Sequence, residues 1–271
     1  VTIEEALREA SKRVKKVATR PRLEAEILLS YFLDCQRTTL HLLADRELEN
    51  AKEYFKLVKR REEAEPIEYI TGRVSFYDLE LEVGPGVLIA RPETELLVEK
   101  AAEIVGEKKI ERVAEIGVGS GAVSLVLARR FPHLHITATD ISDKALEYAK
   151  KNLLRYGVED RVKLIKCDLL SGVDEDIELV VSNPPYISEE FNLPDPVKYE
   201  PKEALFGGKR GDELLEKILE CVKRREIPYI ACEMGYDQRK SIEEISLKLG
   251  LGKPIFYKDL AGLDRGFIIK S

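Results

Sequence analysis

From Thr2 to about Arg60, apolar side chains recur every three to four positions: Leu23, Ile27 and Tyr31, then Leu40, Leu43 and Leu48. Thr2 stands three residues before Glu5, a capping-box spacing in which the two side chains satisfy the first orphan N–H groups of a helix. Pro21 is placed to open a further helix. The pattern predicts a small helical bundle, ending near "AEPIEYITGR", where Pro66 and Gly72 punctuate it.

The period then changes. Val74 to Ala90 alternate around Gly84-Pro85-Gly86, which predicts a β-hairpin. Short apolar or β-branched runs follow at 110–116, 135–139, 162–167, 178–182 and 229–233, separated by helical patterns at 122–131, 142–156 and 212–225. Such alternation predicts βαβ units, and so a parallel sheet with helices on both faces. The last two runs, Ile255–Tyr257 and Gly266–Ile269, are close enough to form an antiparallel edge hairpin. Residues 184–211 are rich in Pro and Gly and carry no clear period; a loop of that length in a compact domain is usually functional or mobile. The expected division is a helical domain over 1–73, a hairpin linker over 74–90 and an α/β domain over 91–271.

Composition narrows the function classes. With 271 residues, 44% of them hydrophobic, the chain can build real cores, and 35% charged residues with one Met and no Trp predict a surface laced with mixed charge. The net charge is −6; residues 1–73 hold 15 Lys and Arg against 14 Asp and Glu, or +1, which leaves −7 for the remainder. No global positive field therefore draws the protein onto nucleic acid. Cys35, Cys167, Cys221 and Cys232 form no C-x-x-C and read as reduced structural thiols. The chain has no signal-peptide pattern and no run of the ~18 apolar residues a membrane span needs, so a cytoplasmic protein without membrane contact is expected. His133 and His135 sit two apart and His41 is distant, so no metal site can be named.

Candidate chemistry lies at the strand ends. Gly117-Val118-Gly119-Ser120-Gly121 falls between a strand and a helix, where glycine permits a tight turn and close approach of a ligand to the backbone. Its third glycine arrives one residue early for the dinucleotide fingerprint, which weakens a dehydrogenase reading. Asp140 follows the next strand, 19 positions after Gly121, near the ~20 at which an acid meets a ribose hydroxyl pair. Taken alone, an Asp after a strand is more often a helix cap, a job Asp140 with Ser142 could do; beside the glycine turn it predicts an adenosine ligand. Asp168 ends the third strand and Asn183-Pro184-Pro185-Tyr186 the fourth, at the sheet edge where open α/β folds bind ligands. By itself that tetrapeptide is only a stiff turn.

Together these features resemble the class I S-adenosylmethionine-dependent methyltransferases that act on planar nitrogen. "PIEYITGRVSFY" from Pro66, "LIARPETE" from Leu88 and "YEPKEALFGGKRG" from Tyr199 are similar to the HemK/PrmC family, glutamine N5-methyltransferases of translation release factors. The likeness covers nearly the whole chain, more weakly over its first 60 residues. Ala90 stands where the family usually has Pro, Asp212 where an apolar residue is common, and Glu115 where many methyltransferases carry Asp. The resemblance implies a Rossmann-like, mostly parallel sheet with an antiparallel edge hairpin and a small N-terminal helical bundle that helps dock the release factor. It implies S-adenosylmethionine as donor and S-adenosylhomocysteine as product, held by Glu115, Gly117, Val118, Gly119, Ser120, Gly121, Asp140, Ile141, Asp168, Leu169 and Asn183. Substrate would meet Asn183, Pro184, Pro185, Tyr186, Arg91 and Glu200, on a monomeric enzyme whose partners are release factors.

The tetrapeptide suits that chemistry. An amide nitrogen is a poor nucleophile because its lone pair is delocalised into the carbonyl. Two fixed acceptors, the Asn183 side-chain oxygen and the Pro184 carbonyl, would each take one N–H of a substrate carboxamide and stabilise the charge nitrogen gains. Proline fixes φ and brings no competing N–H, Pro185 holds Pro184 extended, and Tyr186 supplies a flat wall. Adenine-N6 in DNA and guanine-N2 in ribosomal RNA present the same flat N–H pair and remain the nearest alternative substrates. An adenosine-ligand-binding protein without catalysis is the alternative of another class.

Overall fold

Thr2 accepts the N–H of Glu5 while the Glu5 carboxylate accepts that of Thr2, so both halves of the capping box are made at the head of α1, Ile3–Val14. This is seen in a computed structural model, which describes residues 1–271. Pro21 opens α2, Pro21–Phe32, and α3, Arg37–Leu42, α4, Ala51–Glu62, and α5, Ile67–Thr71, complete a bundle. Its core takes Leu7, Leu28, Leu29, Leu40, Tyr54 and Val58. In α2 the buried positions are Ala25, Leu28 and Leu29. Leu23 and Ile27 are only half-buried and Tyr31 is exposed, so that stripe lies beside the face that reaches the core. The buried Arg61 guanidinium donates to Glu24 at 2.6 Å and to the Val17 carbonyl at 2.7 Å, pairing a charge removed from water. Residues 193–199 group with these helices in one compact unit, and the Tyr199 hydroxyl donates to the Glu63 carbonyl at 2.8 Å.

The second unit comprises 74–192 and 200–271. Strands β1, Arg73–Phe76, and β2, Leu79–Glu82, form a hairpin turned at Tyr77-Asp78, where Tyr77 adopts a left-handed φ of 52°. The expected hairpin over 74–90 is thus too long: Gly84-Pro85-Gly86 lies beyond β2, in an irregular stretch. Turn-forming residues mark where a chain can bend, not which bend joins two strands. Helix α6, Thr94–Lys108, begins after a turn in which Arg91 and Pro92 carbonyls accept from Thr94 and Glu95. Pro92 stands just ahead of it.

A seven-stranded sheet follows, built from β3, Arg112–Ile116, β4, His135–Asp140, β5, Val162–Lys166, β6, Leu179–Ser182, β9, Tyr229–Glu233, β10, Ile255–Lys258, and β11, Asp264–Lys270. Its order is β10-β11-β9-β6-β3-β4-β5. Five strands run parallel; β11 lies antiparallel between β9 and β10. Every residue of β6 is buried, as a central parallel strand covered on both faces requires. Helices α7, Ala122–Arg130, α8, Asp143–Arg155, α9, Glu213–Arg224, and α10, Arg239–Leu249, cover the sheet through two apolar clusters. The sequence pattern missed α10, whose buried residues are only Ile242, Ile245 and Ser246. Between 184 and 211 lie short strands β7, Ile187–Ser188, and β8, Phe206–Gly208, paired in parallel, and two 3₁₀ turns. No helix is long and apolar enough to cross a membrane, and no three His, Cys, Asp or Glu side chains are grouped to hold a metal ion.

Candidate active site

The chain leaves β3 and β6 in opposite lateral directions, β3 to β4 and β6 to β9, so their carboxyl ends open a crevice at the switch point of the sheet. A cleft partly open to solvent occupies it. Of the residues expected there, Gly117, Gly119, Asp140, Ile141, Asp168, Leu169, Asn183, Pro184 and Pro185 line the cleft. Glu115, Val118, Ser120, Gly121, Arg91, Glu200 and Tyr186 do not. Gly86, Leu88, Thr139, Glu203 and Leu214, none of them among the expected site residues, join the lining.

The glycine turn is shaped from behind. Gly117 and Val118 donate to the Thr139 carbonyl at 2.9 Å, tying the turn to β4. Gly119 has φ +54°, and a Cβ there would meet nothing within 4 Å, so its backbone faces open cleft. One Asp140 oxygen accepts the Gly119 N–H at 3.0 Å and the other that of Ser142 at 2.9 Å. Ser142 itself caps α8 through Ala145, so the cap and the acid are separate residues. Burial raises the Asp140 carboxyl above its ordinary range, opposed by the N–H groups of Ser142, Gly119 and Ile141. Glu115 points away from the cleft into α7: Ser124 donates to it with its N–H at 2.9 Å and with its hydroxyl. Complete burial pushes that carboxyl up to about 8.

At the end of β6, the Asn183 Nδ2 donates to Thr94 Oγ1 at 2.9 Å, and Thr94 Oγ1 donates to Glu233 Oε2 at 2.9 Å. The Tyr186 hydroxyl donates to Glu233 Oε1 at 3.0 Å. Gln238 holds the Tyr186 carbonyl at 2.9 Å. No hydrogen bond from within the chain reaches Asn183 Oδ1 or the Pro184 carbonyl. Behind them, Gly207 and Gly211 press on the motif: a Cβ on Gly207 would come within 2.5 Å of the Pro185 carbonyl oxygen, and one on Gly211 within 2.6 Å of that of Tyr186. Glu200 accepts the Ile89 N–H at 2.9 Å with one oxygen and the Arg91 guanidinium with the other. Glu233 and Gln238 were not singled out from sequence, and Thr94 only as part of the "LIARPETE" segment; Glu233 could have been, since it too ends a parallel strand.

A switch-point cleft flanked by a glycine turn and an acid after β4, with Asn-Pro-Pro-Tyr after β6, defines the class: this is a Rossmann-like class I methyltransferase. Residues 5–72 match the family described as PrmC N-terminal domain and residues 92–194 that described as methyltransferase small domain. Curated relatives include proteins called release factor glutamine methyltransferase from Koribacter versatilis, 36% identical over 90% of both chains, and from Aquifex aeolicus, 36% identical over 93% of this chain and 92% of that one. Another, from Coxiella burnetii, is 34% identical over 100% of this chain and 99% of its own. The chain belongs to the release factor glutamine methyltransferase family. In fold it is similar to ribosomal protein L11 methylase from Lactobacillus delbrueckii subsp. bulgaricus, with TM-score 0.52 and 22% identity over 73% of this chain and 88% of that one. It is likewise similar to the N-terminal domain of human METTL16 in complex with SAH, with TM-score 0.51 and 16% identity over 81% of each chain.

Proposed function

We propose that this protein transfers a methyl group from S-adenosylmethionine to the side-chain N5 of the glutamine in the Gly-Gly-Gln motif of peptide chain release factors. The observation that carries the reading is the pair of acceptors at the cleft edge, Asn183 Oδ1 and the Pro184 carbonyl, which no donor in the chain occupies. A primary carboxamide brings two N–H groups that match them. Family membership supplies glutamine as the carboxamide.

The cleft fits an adenosyl donor. Gly117 and Gly119 let a ligand approach the backbone, and Asp140, with two oxygens and about four lone-pair sites, has acceptor capacity left for a ribose hydroxyl beyond the N–H groups of Gly119, Ser142 and Ile141. Ile141 and Leu169 would flank the base, and Asp168 and Asn183 close the site. When bound, S-adenosylmethionine supplies an electrophilic sulfonium methyl. The chain's part is electrostatic and geometric. Asn183 Oδ1 and the Pro184 carbonyl each accept one substrate N–H, orienting the amide and stabilising the positive charge that nitrogen develops. Tyr186, anchored at its hydroxyl and its carbonyl, stands as a fixed wall beside them. The proton can leave nitrogen after transfer, when nitrogen has become acidic, so no dedicated base is required.

Mass spectrometry of the Gly-Gly-Gln peptide, after incubating a release factor with the protein and S-adenosylmethionine, tests this. A mass gain of one methyl group on the glutamine is expected. An unmodified glutamine alongside labelled DNA or ribosomal RNA, read with tritiated donor, would move the substrate to a nucleobase amine.

A further inference from the structure

Glu233 closes a short chain of hydrogen bonds whose direction is set from one end. An ionised carboxylate only accepts, and both oxygens are engaged: Oε2 takes the Thr94 proton and Oε1 that of Tyr186. With its single proton committed, Thr94 meets Asn183 as an acceptor and receives Nδ2–H. A carboxamide whose nitrogen faces Thr94 turns its oxygen away from Thr94, on the side left for the cleft. We propose that Glu233 is the positioning residue of the transfer, fixing the Asn183 carboxamide through Thr94 so that an acceptor and not a donor meets the substrate amide. The inference rests on the glutamine-transfer reading above.

Glu233 is 2% exposed and does not line the cleft, so it acts only through Thr94 and Tyr186. Its protonated form would reverse the chain. The carboxyl would donate to Thr94, Thr94 would donate to Asn183 Oδ1, and the turned amide would confront a substrate N–H with its own NH₂. That reversal falls in an accessible pH range. Burial pushes Glu233 up to about 7, against the hydrogen bonds from Thr94 and Tyr186. Glu93, ahead of α6, raises it further, and Arg265 of β11 lowers it while paired to Asp259 at 2.7 Å. Cys232 beside it and Tyr257 of β10 face it as neutral groups, both raised well above their ordinary values by burial, and Tyr186 is raised by burial and by Glu233 itself, against Arg265 and Arg91.

The test is a pH series of kcat and KM for a release factor at saturating S-adenosylmethionine, from about pH 5.5 to 8.5, with the full-length wild type, Glu233→Gln, Thr94→Val and Thr94→Ser. Wild-type kcat should fall on the acid side with a midpoint of about 7. Glu233→Gln should lose that limb and run about tenfold or more slower at the top of the range, because its amide can face Thr94 either way, while KM stays within about twofold. Thr94→Val should lose about 10²-fold in kcat, and Thr94→Ser, which keeps the hydroxyl, should return to within about threefold of wild type. An unchanged acid limb in Glu233→Gln, or wild-type kcat in Thr94→Val, overturns the inference alone. A wild type that leaves the glutamine unmodified overturns the glutamine reading and this inference with it.

Discussion

Ile89 and Glu200, 111 positions apart in the chain, are joined by a 2.9 Å hydrogen bond from the Ile89 N–H to the carboxylate, whose other oxygen holds Arg91. Glu200 is 4% exposed and Ile89 equally so, which makes this a buried fastening between the segment before α6 and the loop that returns to β8. Both Glu200 oxygens are engaged within the chain, so we propose that Glu200 and Arg91 serve the substrate by holding that loop. Glu200→Ala should cost about 1–3 kcal/mol, the penalty of an orphaned buried donor. Denaturant unfolding measures it, and hydrogen exchange at the Ile89 amide should accelerate. Glu200→Gln, which keeps an acceptor, should lose less.

Asn183→Ala removes one of the two proposed acceptors. Methyl transfer should slow by about 10²–10³-fold, by analogy with removal of one preorganised hydrogen-bonding group. Single-turnover assay and calorimetric titration of S-adenosylmethionine separate rate from binding. Turnover near wild type with donor binding intact would take Asn183 out of the mechanism.

Gly207 owes its identity to contact. A methyl there would stand 2.3 Å from the Gly211 carbonyl oxygen and 2.5 Å from that of Pro185, both backbone atoms that cannot step aside. Gly207→Ala should therefore push the Pro-Pro carbonyls out of line, lowering kcat and destabilising the fold by about 1–3 kcal/mol. Wild-type kcat in a variant that folds normally would count against this account.

Asp140→Ala should weaken S-adenosylmethionine binding by about 10–100-fold, since hydrogen bonds to a charged group contribute about 1.5–3 kcal/mol, and it also frees the Gly119 N–H. Isothermal titration reads the change directly. Affinity equal to wild type would return Asp140 to a purely local role.

Glu115 predicts a pH dependence of stability. Its folded pKa, about 8, lies above the ordinary value of 4.5, so between these values the folded state binds more protons than the unfolded one. Stability contributed this way is full below about 4.5 and is lost as pH rises through about 8. Glu233, raised to about 7, acts in the same direction over a narrower window. Carboxylates driven down, such as Glu4 at about 2 beside Arg22, act only on the acid side of this range. The melting temperature should fall from pH 5.5 to 8.5, and Glu115→Gln should flatten that slope; a slope unchanged in the variant would assign it elsewhere.

Strand and helix positions from Arg112 to Glu233 were legible because a buried parallel sheet demands continuous apolar runs and its covering helices a 3.6-residue period. The ends of those strands were legible too, since ligand groups collect at the carboxyl edge, and Gly119, Asp140, Asp168 and Asn183 do line one cleft. What the sequence determined by itself was thus whatever repeats locally or follows from chain order. It could not say that Tyr77-Asp78, and not Gly84-Pro85-Gly86, turns the hairpin, because several bends satisfy the same local chemistry. Nor could it say that Thr94 meets Asn183 across 89 positions, or Glu233 across 139. Those pairings carry no period and no spacing rule. They exist because the sheet order sets β9 beside β6 and packs α6 against them, and burial then leaves a polar side chain only the partners within reach.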